Sequence, residues 1–78
     1  MAPLPPRFRV SVADSNHPRL LLTNVRFAHA ETAQGVFADL VRDYSRRYPL
    51  VQTELSSDYE RRVFGDSTRY ILVACERV

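Results

Sequence analysis

Between positions 33 and 48 the apolar residues recur at helical spacing. Ala33, Val36, Phe37, Leu40, Val41, Tyr44 and Tyr48 fall at offsets 0, 3, 4, 7, 8, 11 and 15, one stripe of an amphipathic helix within residues 30–48. Leu40 is expected at the centre of that stripe, with Val36 and Phe37 beside it. Glu31 lies near the positive end of the helix dipole and Arg46 and Arg47 near the negative end. Asp43 is spaced to pair with Arg46 and Arg47, and Thr32 is the candidate cap. Pro49 ends the helix, because its ring pushes the preceding residue out of α geometry.

The flanking segments change period from 3.6 to 2. Arg7-Phe8-Arg9-Val10-Ser11-Val12-Ala13 alternates polar and apolar residues, which predicts a strand with one buried face. Residues 14–18 form a loop by composition and by Pro18. Residues 19–27 predict a second strand, the hairpin partner of the first. Leu21, Thr23, Val25 and Phe27 share one of its faces, and Leu20, Leu22, Asn24 and Arg26 share the other. After the helix come a short strand at 50–55, a turn at 56–58, a strand at 59–64 that sets Tyr59, Arg61 and Val63 against Glu60, Arg62 and Phe64, a hairpin turn at 65–67 and a final strand within 68–77.

The order β-β-α-β-β-β predicts an α+β fold, one amphipathic helix packed on an antiparallel sheet of four or five strands. Residues 1–6 form a proline-rich arm, and residues 7–78 a single domain. The arm resembles a polyproline II ligand only loosely, and its expected role is to start the first strand and protect an edge.

A strand covered on one face alternates, but Tyr70-Ile71-Leu72-Val73-Ala74-Cys75 is apolar on both faces. One helix covers one face of a sheet. The second face therefore needs the N-terminal arm, strong sheet curvature or another chain, and the expected assembly is a homodimer joined through the sheet face or an edge strand.

Composition narrows the chemistry. A 78-residue chain has a thin core, and a single cysteine, Cys75, excludes an internal disulfide. With only two histidines, His17 and His29, and no phosphate-binding glycine loop or nucleophile motif, the sequence predicts no catalytic residues, no metal site and no cofactor. Residues 1–6 lack the charged and apolar regions of a signal peptide, no run is long enough to span a membrane, and a free thiol suits a cytoplasmic location.

All eleven basic residues are arginine and none is lysine, as codon bias in a GC-rich genome would produce; the net charge is only +2. Arginine interleaved with aromatics on an open sheet is also a recipe for stacking single-stranded bases, which makes Arg42, Arg46, Arg47, Arg61 and Arg62 candidate nucleic-acid contacts. Asp39, Asp43, Asp58 and Glu60 stand beside them and favour a solvated, internally paired surface instead. The first expectation is thus a non-catalytic protein-binding module, with Leu20, Leu22, Tyr59, Arg61, Arg62, Tyr70 and Leu72 as partner-binding residues. Adaptor or inhibitor roles of this size are common among phage and plasmid accessory proteins. The alternative is an arginine/aromatic nucleic-acid-binding accessory factor.

Overall fold

A computed structural model gives the fold and describes residues 7–66 and 68–78. Six elements follow one another: β1 (Phe8–Asp14), β2 (Leu21–Phe27), α1 (Ala30–Ser45), β3 (Leu50–Leu55), β4 (Tyr59–Gly65) and β5 (Tyr70–Arg77). The strands form one fully antiparallel sheet in the order β2-β1-β5-β4-β3. The α+β architecture matches the pattern of the sequence, with five strands and one helix.

Alternation decides which side each strand residue faces. Val10 and Val12 of β1, Phe64 of β4, and Ile71 and Val73 of β5 are fully buried and meet Ala33 and Phe37 of α1. The opposite face carries Arg9, Ser11 and Ala13 of β1, Tyr59, Arg61 and Val63 of β4, and Tyr70, Leu72, Ala74 and Glu76 of β5. Among the described residues, no helix covers that second face.

Several expectations change in detail. The helix stops at Ser45, and Tyr48 packs against the core from beyond its end. His29 occupies the N-cap position without a capping side-chain bond, so Thr32 lies inside the helix and caps nothing. Asp43 makes no ion pair among the described residues; the helical pair is Asp39 with Arg42, at 3.4 Å. Phe37, rather than Leu40, is the deepest large residue of the stripe, because it joins the buried strand residues Val10, Val12, Phe64, Ile71 and Val73 while Leu40 packs half-buried beside them. The first strand has no edge for prolines to protect, since β1 is flanked by β2 and β5; the arm itself lies outside the described residues.

Gly65 closes β4 with φ of 134°, and a Cβ there would collide with the Arg69 carbonyl oxygen. That close approach lets the Asp66 N–H donate to the same oxygen at 3.0 Å and tightens the β4–β5 hairpin.

Phe37→Ala should therefore cost about 3–5 kcal/mol, and Leu40→Ala no more than about 2 kcal/mol, since only the first empties a buried site. Urea unfolding checks the ranking, and a larger loss for Leu40→Ala would contradict this placement of the helix.

Candidate functional site

The uncovered sheet face is organised by charge at one end and by apolar residues at the other. At the charged end, Arg9 of β1 donates through Nη2 to Glu76 Oε2 of β5 at 2.7 Å. Arg61 of β4 reaches the other oxygen of Glu76 at 3.3 Å and Glu54 Oε2 of β3 at 3.2 Å. Gln52 Nε2 donates to the remaining Glu54 oxygen at 3.2 Å. The series Arg9–Glu76–Arg61–Glu54 thus alternates in sign across four strands. Arginine suits it because one guanidinium can serve carboxylates on both sides. The Arg61 guanidinium also lies 4.0 Å from the Tyr59 ring centroid.

Pairing governs titration here. Burial alone would raise the Glu76 carboxyl, but the hydrogen bonds and charges of Arg9 and Arg61 hold it below its usual value. Burial alone would lower Arg61, and its bonds to Glu54 and Glu76 outweigh this and raise it. Arg9 Nε is buried and finds no acceptor among the described residues.

Past the row lies the apolar end. Ala13, Leu72 and Val63 stand side by side in register on β1, β5 and β4, and Tyr70, 44% exposed, stands opposite Gly65. Gln52, Glu54, Arg61, Val63 and Leu72 line a shallow open cup of about 250 Å³. Ala74, predicted to add to an open apolar patch, is buried between its neighbours.

The structure brings Tyr59, Arg61, Tyr70 and Leu72 onto this one face. It puts Arg62 on the helix side, paired with Glu60 at 2.7 Å, its guanidinium 5.7 Å from the Phe37 ring centroid. Leu20 precedes β2, and Leu22 sits where the β1–β2 register shifts; both are exposed and belong to the sheet edge. Of the candidate nucleic-acid contacts, Arg42, Arg61 and Arg62 are held by carboxylates. Arg46 follows the helix as its C-cap, and Arg47 stacks 5.3 Å from the Tyr44 ring centroid; neither forms an ion pair among the described residues.

A second charged cluster lies inside the fold. Asp14 is buried at the end of β1, and its carboxylate accepts from the guanidinium of Arg69, whose Nε lies 3.1 Å from Oδ2. Asp14 also accepts from the Asn16 backbone N–H at 3.0 Å, while Arg69 Nη1 donates to the Tyr48 hydroxyl at 3.2 Å. This cluster fastens the β4–β5 hairpin to β1 and to the segment after the helix. Residue 14 reads as an ordinary loop aspartate in sequence; its partner is 55 residues away.

On the helix side, a cleft of about 210 Å³ opens between the start of α1 and the β3–β4 turn, lined in part by Phe37, Glu60 and Cys75. Burial, then the charges of Glu60 and Glu76, push the Cys75 thiol up, so it is a poor nucleophile. Among the described residues no group of three potential metal ligands converges, and no helix is long and apolar enough to cross a membrane. No family model matches the sequence, and no curated protein or solved structure is significantly similar to the chain.

The Arg69 hydrogen bonds, helped by the Asn16 bond, hold Asp14 below the ordinary carboxylate range. A depressed carboxyl stabilises the fold above its unfolded value, and that contribution is lost as pH falls through the folded value, here below about pH 4. Thermal melts of Asp14→Asn should thus begin lower at neutral pH and fall less steeply in acid than those of the parent chain. An unchanged acid slope would contradict the assignment.

Proposed function

We propose that this protein is a non-catalytic binding module that acts by protein–protein contact through its uncovered sheet face. The observation that carries the reading is the build of that face. An apolar end with an exposed tyrosine adjoins a charged row whose members pair with one another. Protein partners bury an apolar patch together with paired polar residues at its margin, and this face offers the two side by side. Tyrosine and arginine are also the side chains that most often dominate such contacts. Tyr59, Arg61, Tyr70 and Leu72 are the proposed contact residues, and Leu20 and Leu22 extend the surface at the β2 edge. A homodimer is the simplest assembly this face supports. A reducing, cytoplasmic setting suits a chain with one thiol, Cys75. An adaptor or inhibitor role, of the kind accessory proteins of this size play, fits a surface without reactive groups.

The nucleic-acid reading loses support where its arginines are neutralised. Arg61 shares two carboxylates, and Arg62 and Arg42 have one each. Of the candidate contacts, Arg46 and Arg47 alone would remain for phosphate, beside Arg7, Arg19, Arg26 and Arg77, which likewise form no ion pair among the described residues.

Titration with single-stranded DNA and RNA at physiological salt separates the two readings. The expected result is weak binding that Arg46→Gln/Arg47→Gln barely changes. Sub-micromolar affinity that falls steeply with salt and disappears in that variant would replace the protein-contact reading with the nucleic-acid one.

A further inference from the structure

We infer that the partner on this face is a second copy of the chain, stacked sheet to sheet about a two-fold axis. The inference rests on the protein-contact reading above and names its occupant. Its basis is the order of charges. Arg9, Glu76, Arg61 and Glu54 run plus, minus, plus, minus over β1, β5, β4 and β3. A two-fold axis lying between two stacked sheets, along the strands and over the β5–β4 boundary, reverses strand order. It sets β1 over β3 of the partner and β5 over β4. An even, alternating row reversed end to end becomes its own complement. Arg9 then faces the partner's Glu54, and Glu76 faces the partner's Arg61, twice each by symmetry. Arg26 of β2, the register partner of Arg9 on the same face, falls beyond the partner's β3 under this operation and faces no strand.

The rest of the face obeys the same operation. Leu72 and Val63 are register partners, as are Tyr70 and Gly65. The axis that matches the charges lays Leu72 over the partner's Val63, and the exposed Tyr70 ring over the partner's Gly65, where no side chain obstructs it. Ser11, Ala13 and Ala74 leave the floor low between them. The row steps by one residue pair between β5 and β4, since Glu76 opposes Tyr59 while Arg61 opposes Ala74. The Arg61 side chain spans that step, bringing its guanidinium within 3.3 Å of Glu76, so the charged ends stand together although the backbone positions do not. The partner's Glu54 also brings a carboxylate towards Arg9, whose buried Nε lacks an acceptor among the described residues.

Edge pairing is the competing route to a dimer. The exposed leucines of β2 and the exposed Leu50, Val51 and Leu55 of β3 invite it. Both edges, however, carry register shifts, at Leu22 and Val51, and such irregularities interrupt strand addition.

Sedimentation equilibrium at high micromolar concentration tests the inference. The expected species has twice the 9.0 kDa of one chain. Leu72→Asp should yield a folded monomer. Arg61→Glu alone and Glu76→Arg alone should each lose self-association, because each places like charges across the axis. Mixing those two variants should restore a dimer that neither forms alone, since their faces complement each other. Circular dichroism melts establish that each variant folds, and Leu72→Asp carries the test if a charge variant does not. A monomeric parent chain overturns the inference and gives the face to a different protein or to residues 1–6; the protein-contact reading then still stands on the nucleic-acid titration. A parent dimer that survives Leu72→Asp, or charge variants that fold but do not associate when mixed, also overturns it.

Discussion

One helix of sixteen residues faces a sheet of five strands, and it can cover only one side of that sheet. Most of the molecule follows from this asymmetry. The covered side concentrates its burial in the middle strands, β1 and β5, with Phe64 of β4 completing the core. The outer strands β2 and β3 keep most of their residues exposed. The uncovered side cannot be left as bare hydrocarbon, and the chain closes half of it with charges. Arginines and glutamates there pair across the sheet, and the small residues Ala74 and Ser11 beside them are buried. Among the described residues, the other half, around Leu72, Val63 and Tyr70, has no such cover.

The arginines take different parts in this design. Arg61 joins three strands because its guanidinium reaches two carboxylates and stacks on Tyr59. A lysine in its place would offer a single point charge and no flat surface. Arg69 secures a buried carboxylate that would otherwise be costly inside so small a core. Arginine richness therefore serves internal pairing at these positions.

The elements were legible where the pattern is local. The stripe from Ala33 to Tyr44 announces the helix, and the alternation of Arg9 with Val10 and of Arg61 with Arg62 announces strands of the right face and period. Strand neighbours were less accessible, because β1 pairs with β5 across almost the whole chain. Arg9 and Glu76 are 67 positions apart, and nothing local links them. The same holds for Asp14 and Arg69. A weaker signal was present: Arg9, Arg61 and Glu76 each sit at strand positions opposite in phase to the buried set, where a solvated face and a charged row look alike in sequence. The depth of Phe37 relative to Leu40 depends on where the helix crosses the sheet, which periodicity does not encode. Strict alternation groups Leu21 with Thr23, Val25 and Phe27, but the register shift at Leu22 pairs Leu21 with Ala13 of the uncovered face instead.

Hydroxyl-radical footprinting across a dilution series tests the central claim most directly, since it reads side chains on every surface at once. Protection of Tyr59, Tyr70 and Leu72 at high concentration, lost on dilution while Leu20, Val25 and Tyr44 stay constant, is the expected result. Protection that instead follows Leu20 and Val25 at the β2 edge, or reactivity of Tyr70 and Leu72 that ignores concentration, would contradict a face-to-face contact between copies of this chain.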